Sequence, residues 1–386
     1  MADDWGQLRG PARNGISTEK GWTDKWPTSG PAILWKANVG LGFSGISVAG
    51  GKAVTMGNAE EKDTVFCFDA LSGNPVWKQS YPAALGDKYF EGGTTGTPTI
   101  DKERVYTLSR WGDVFCFELN SGKILWSRNV QTDTGAPLPD WGFSGSPIVY
   151  EKLLILNVGE AGMALDKDTG KTVWESAKKA AGYTTPLIAK RAGRQELILG
   201  SGQGFLGVDP STGKEFWRTK WLTQYGVNAA DPIVVDDAVF ISSGYGKGGA
   251  LFKPGDNPEF LWQTKILRTQ LNGAILYGNH LYGVDGDTSN KATLRCLELA
   301  TGKEKWADTE HGVRSLIIAD GQLILVSERG ELMVAPASPD SFKPTAQAQI
   351  LGGKTWTSPT LANGIVYARN SRGDLVSVDM RSSPVK

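Results

Sequence analysis

Histidine is nearly absent from this chain. His280 and His311 are the whole supply in 386 residues, so a multi-histidine metal site is excluded and a Ser-His-Asp arrangement has little material. Cysteine is equally scarce. Cys67, Cys116 and Cys296 make an odd number with no two adjacent, which does not read as a disulfide framework. Neither sign of charge is in excess, since 41 basic and 41 acidic side chains cancel. That balance argues against nucleic-acid and anionic-membrane partners, both of which need a strong positive field. No apolar run approaches the roughly 18–20 residues that cross a bilayer, so the chain is not expected to span one. The opening Met1-Ala2-Asp3-Asp4-Trp5 shows neither the basic nor the apolar region of a secretory signal. Cytoplasmic residence follows if that opening is natural. A mature exported chain whose signal was replaced by an initiator Met is the alternative.

What is abundant is glycine, at 49, and tryptophan, at 14. Both belong to one repeated motif: a short β-run, an acidic residue, Ser/Thr-Gly, then Trp four residues after the Gly. It reads Val65-Phe66-Cys67-Phe68-Asp69 with Ser72-Gly73 and Trp77, and returns at Val114–Glu118 with Ser121-Gly122 and Trp126. Further copies end at Trp174, Trp217 and Trp306, and a degenerate one keeps only Trp262. A period of 43 to 49 residues between successive Trp anchors fits a four-stranded propeller blade.

Each part of the motif has a physical reason. The Gly takes the left-handed conformation that closes a short hairpin. The acid and the hydroxyl cap free amides of the turn. The Trp buries a large ring against the neighbouring blade. Lys123, Lys171, Lys214 and Lys303 follow the Gly and put charge on the outermost edge, which discourages edge pairing. Inner strands are read at Gly96–Ile100, Gly145–Val149 and Ser358–Leu361. The three cysteines fall mid-strand, as small buried hydrophobes.

Six Trp-anchored units, a seventh around Leu323–Val326 without its signature, and an eighth from Trp356 to Asp379 give eight blades. The last lacks a fourth strand, and Pro31–Lys36 reads as an outer strand without a blade. Pairing of the two closes the set. The predicted fold is therefore all-β: an eight-bladed β-propeller of four-stranded antiparallel blades over 30–386, cooperative as one unit. An N-terminal extension, 1–29, precedes it, and the sequence leaves open whether it packs on the propeller or reaches a partner.

The Asp-x-x-Thr-Gly-x-x-x-Trp pattern resembles the PQQ-like, or quinoprotein-like, propeller repeat over nearly the whole chain. The opening Trp5-Gly6-Gln7-Leu8-Arg9-Gly10-Pro11 is similar to the leader of many secreted bacterial propellers of this type. The resemblance implies the fold. It does not imply one activity, because the family holds both quinoprotein alcohol dehydrogenases and non-catalytic BamB-type envelope proteins.

For a dehydrogenase the resemblance implies PQQ over a Ca2+ or lanthanide ion, held by a Glu and an Asn, with a catalytic Asp, a stacking Trp and a vicinal cysteine pair. Only Glu160 matches, at the metal Glu position. Gln203 stands where the stacking Trp is expected, Tyr245 follows Ser243-Gly244 where the Asn is expected, and Arg268-Thr269-Gln270-Leu271-Asn272 carries no carboxylate. No catalytic residue is assigned; PQQ and Ca2+ are possible cofactors, but most of the ligand residues they require are absent.

A second set of residues falls where the chain enters an inner strand or leaves a second strand: Arg110, Trp111, Trp141, Glu160, Tyr183, Gln203, Tyr245, Arg268, Gln270, Arg314, Arg329, Trp356 and Arg372. Phe143, Tyr225, Asn228, Lys247, Glu328 and Arg369 share that placement. Aromatic plates beside Arg and Glu suit a sugar, a peptide or a carboxylated small molecule. The reading is a non-catalytic, monomeric binding or scaffold propeller of the bacterial envelope, periplasmic or secreted, with a protein partner or an extracellular small molecule or glycan. The alternatives are a divergent quinoprotein dehydrogenase and a carbohydrate-active propeller.

Overall fold

The computed structural model describes residues 4–286 and 292–382. The fold is an eight-bladed β-propeller of four-stranded antiparallel sheets with almost no helix. Residues 1–105, 117–123 and 306–386 form one compact unit, and 106–116 with 124–305 form another. The first unit holds the sheet of Ser47–Ala49 to Pro75–Pro82 and the seventh and eighth sheets. The second holds the four sheets from Ile148–Tyr150 to Glu304–Asp308, apart from that last strand's final residues.

In the first unit the expected closure is present. Ile33–Asn38 pairs antiparallel with Asp374–Asp379 and supplies the missing outer strand. Behind it a core of Trp35, Phe68, Ile324, Val334, Tyr367 and Val378 excludes water. In the second unit each interval between neighbouring sheets has its own apolar cluster, such as Leu156, Met163 and Leu165 beside Tyr106 and Leu108. Cys67, Cys116 and Cys296 are buried in these layers. Burial pushes the thiol of Cys67 up to about 12 and that of Cys296 to about 11, so both stay protonated and inert.

The Trp anchors are set with great regularity. Each indole N–H donates to a backbone carbonyl in the next sheet: Trp35 to Ala70, Trp77 to Leu119, Trp126 to Lys167, Trp174 to Pro210, Trp262 to Leu299 and Trp306 to Ser338, at 2.7–3.0 Å. In all but the last, that carbonyl follows the acidic residue of the motif. The acid itself caps the turn, as when Asp166 Oδ1 accepts from the amides of Asp168 and Thr169. These bonds hold the Asp166 carboxyl below the usual range, with the Thr169 hydroxyl contributing most.

The hairpin glycine has a second duty. At Gly170 φ is +72°, and a Cβ would stand 2.6 Å from the ring of Trp126, so the indole of the preceding blade lies directly on the turn. Gly73, Gly122, Gly213 and Gly302 face Trp35, Trp77, Trp174 and Trp262 in the same way. Trp217 is the exception. The turn at 254–258 has no motif to receive its indole, which donates instead to Glu196 in its own blade at 2.8 Å. Glu196 is wholly buried and also takes Arg191 and Arg194, each at 2.8 Å.

The described part of the N-terminal extension packs on the first unit; residues 1–3 lie outside the described residues. Trp5, 3 % exposed, exchanges backbone bonds with Val48 at 2.7 and 2.9 Å. The Gly6 carbonyl accepts from Ile100, and Ile16–Ser17 lies parallel on the innermost strand Val313–Ala319 as a fifth member of that sheet. Glu19 then accepts from the amide of Gly364 at 2.6 Å, and Thr23 donates to Met380. The segment thus binds the innermost strands of three blades and, in the eighth, the turn between the first and second strands and the residue after the third.

Candidate functional site

The opposite strand ends carry the residues predicted from their position in the repeat. In the second unit four aromatics meet there. Trp141 lies on the way into Ile148–Tyr150, Tyr183 precedes Leu187–Arg191, and Tyr225 sits in the turn Gln224–Gly226 before Ile233–Val235. Tyr245 follows Ala238–Ser243. Ring centroids are 5.9 Å apart for Trp141 and Tyr183, 6.1 Å for Trp141 and Tyr225, and 5.7 Å for Tyr225 and Tyr245. The end pairs meet edge to face at 78° and 84°, an arrangement the ring quadrupoles favour.

Buried polar groups hold this cluster in place. Asn228, fully buried, donates to the carbonyls of Ser201 and Trp221, accepts from the Ser243 hydroxyl at 2.8 Å, and takes the Tyr183 amide on its own carbonyl. Trp221, 4 % exposed, donates to the same Ser243 hydroxyl, and Lys247 Nζ rests 4.3 Å above its ring. Desolvation, with Lys265 close by, lowers the Lys247 pKa. Burial pushes Tyr183 up to about 12, so its phenol is neutral.

Tyr225 behaves differently from its neighbours. It is 61 % exposed, the most open large apolar side chain described, and its φ is +61°. Tyr245 is also left-handed, at +49°. For a residue with a Cβ that conformation costs on the order of 1 kcal/mol, and such strain concentrates at binding sites.

Other predicted residues of this unit are committed internally. Arg110 is 3 % exposed, donates to the Trp141 carbonyl at 3.3 Å and lies 5.1 Å from the ring of Trp111. Glu160, 5 % exposed, receives Arg218 at 2.5 Å and Lys179 at 3.2 Å. These cations, Arg218 foremost, hold its carboxyl below the usual range. Arg268 is clamped at 2.7 Å on Asp285, which is wholly buried and also takes Arg295 at 2.7 Å. Burial opposes the Asp285 charge, but the two guanidiniums outweigh it and lower the pKa. Gln270 packs against Gly244, with its Oε1 buried and without a donor. Gln203 is exposed. His280 lines a separate cleft of about 720 Å3 with Asp236, Asp237 and Glu298.

In the first unit the predicted residues form a self-contained group. Trp356, 9 % exposed, stacks on Phe43 at 5.6 Å, donates to Glu328 at 3.1 Å and lies under Lys354 at 4.3 Å. Arg314, 6 % exposed, pairs with the same Glu328 at 3.2 Å. Arg329 and Arg372 point to solvent. Arg369 is not a rim residue at all. It is fully buried and ties the eighth blade to the first by donating to the carbonyls of Gly40, Ser44 and Met56. Burial without a carboxylate lowers its pKa to about 9.

These geometries decide whether a quinone and its metal fit. Glu160 has both oxygens engaged by cations, and Gln203 offers no stacking face. Among the described residues no three His, Cys, Asp or Glu side chains gather as a metal site. The residues present do not fit the quinone–calcium centre.

A family model described as outer membrane protein assembly factor BamB matches residues 61–308. The chain belongs to this PQQ-like repeat family. No curated protein matches it. Among solved structures it is similar to BamB from Moraxella catarrhalis, with TM-score 0.66 and 15 % identity over 92 % of this chain and 99 % of that one. Quinohemoprotein alcohol dehydrogenase from Comamonas testosteroni gives TM-score 0.71 at 12 % identity, covering 99 % and 81 %. The quinohemoprotein alcohol dehydrogenase ADHIIG from Pseudomonas putida HK5 gives 0.72 at 11 %, covering 100 % and 81 %. At these identities the likenesses establish the fold alone. No helix among the described residues is long and apolar enough to cross a membrane.

Two features of the site were missed from sequence. Asp285 ends the strand His280–Asp285, 17 residues from Arg268 in the preceding loop, and nothing in the repeat marks the pair. Trp221 was passed over because it lies outside the motif, although its spacing of four from Trp217 was visible.

Proposed function

We propose that this chain is a non-catalytic binding propeller of the bacterial envelope, periplasmic or secreted, with its ligand or partner on the aromatic cluster of the second unit. Tyr225 carries the reading: an exposed ring, held in a strained backbone and braced by Trp141 and Tyr245, has no use in the core. The family description, an outer-membrane assembly factor, supports the envelope setting. The engagement of Glu160 by Arg218 and Lys179 speaks against the dehydrogenase alternative. Two thermal-shift titrations test the proposal. PQQ with Ca2+ is expected to leave the melting temperature unchanged, and a Ca2+-dependent rise saturating at stoichiometric PQQ would overturn the reading. A panel of oligosaccharides and peptides is expected to include at least one that stabilises the protein but not its Tyr225→Asn variant. If no member did so, the aromatic cluster would lose its assigned role.

A further inference from the structure

Lys247 has an unusual position. It ends the turn Tyr245-Gly246-Lys247, with its ammonium over Trp221 and two residues from the ring that braces Tyr225. Among the described residues no carboxylate pairs with it or with Lys265, whose like charge it feels. The protein therefore keeps the Lys247 ammonium without a carboxylate, two residues from the ring that braces Tyr225, although its carboxylates elsewhere are freely used in pairs such as Glu160 with Arg218. A surface built this way is complementary to a negative group on a ligand that also has a flat face to stack.

Resting on the binding reading above, we propose that the second unit's aromatic cluster recognises an acidic sugar, a uronate unit, stacked on Tyr225 with its carboxylate at Lys247. A sugar ring offers the C–H face that an open tyrosine can cover, and its equatorial carboxylate lies in the ring plane, toward a cation at the platform's edge. The braced tyrosines need no reordering when it binds, which removes part of the entropic cost of association. An acidic peptide would satisfy the charge. It would not use the open, rigid ring face as fully.

Isothermal titration of the full chain with trigalacturonic acid, neutral galactotriose and a Glu-rich hexapeptide tests this. Trigalacturonic acid is expected to bind about tenfold more tightly than galactotriose. Lys247→Met should remove that difference and leave galactotriose unchanged. Tyr225→Asn, whose side chain tolerates a left-handed backbone, should abolish both while the melting temperature holds. Raising salt from about 50 to about 500 mM should weaken only the acid. Equal affinity for the two sugars would overturn the acidic assignment and keep the binding reading. Peptide binding lost in Tyr225→Asn, with no sugar bound, would overturn the occupant and keep the surface. Silence from all three probes would overturn the inference, and the broader panel above then judges the binding reading independently.

Discussion

The dual duty of the hairpin glycine can be separated by comparing two alanine substitutions. Gly170 and Gly193 have nearly the same backbone, at φ +72° and +78°, and both lie in the second unit. Around Gly193 nothing stands within 4 Å of a built Cβ, whereas at Gly170 the Trp126 ring is 2.6 Å away. Alanine at either place pays the left-handed conformation, about 1–2 kcal/mol. At Gly170 the methyl must also displace an indole, which costs about 1–3 kcal/mol as overpacking. It also strains the Trp126–Lys167 hydrogen bond, worth about 1 kcal/mol. Gly193→Ala should therefore lose about 1–2 kcal/mol and Gly170→Ala about 3–6 kcal/mol. Urea unfolding followed by tryptophan fluorescence reads both, at constant m-value. Equal losses in the two variants would refute the steric argument and leave only the turn conformation.

Three further outcomes are expected. Arg369→Met strips donors from three buried carbonyls and should cost about 3–6 kcal/mol by urea unfolding, and a loss under about 1 kcal/mol would show that the tie between eighth and first blades is idle. Asp285 has a native pKa below its unfolded value, so its pairing with Arg268 and Arg295 contributes stability above the ordinary carboxylate range and loses it as pH falls through the native pKa. Melting curves from about pH 6 to about pH 2 should therefore fall more steeply for the native protein than for Asp285→Asn, and parallel curves would discard the assignment. Trp217→Phe removes one donor from Glu196 but leaves both arginines, so a loss of about 1–2 kcal/mol is expected in thermal unfolding, smaller than that of Glu196→Gln.

The blades were legible because Trp, Gly and the turn acid recur at one spacing, and the closing strand because Trp35 stood outside any complete unit. The packing of each glycine under the preceding Trp was not, since a backbone requirement and a steric one select the same residue. At the site, Trp141, Tyr183 and Tyr245 were legible from their place in the repeat, and they do converge with Tyr225. Arg110, Glu160 and Arg314 occupy similar places but are themselves buried and already engaged, because position along a strand fixes where a side chain starts and not what neutralises it. The N-terminal extension carries no periodicity, so its bonds to Val48, Ile318 and Gly364 left no trace in the pattern.

Those bonds have a consequence for synthesis. Glu19 and Gly364 are 345 residues apart, and the strand Ile33–Asn38 finds its mate only in Asp374–Asp379. At about 5–20 residues per second, a ribosome takes about 20–70 s to span that interval. Through that time the Glu19 carboxylate and the strand edge of Ile33–Asn38 are without native partners, while hairpins such as Lys52–Ala59 with Lys62–Asp69 can form at once. The edge of Ile33–Asn38 is thus exposed longest, and a holdase that covers it would guard the strand that must wait for the last blade.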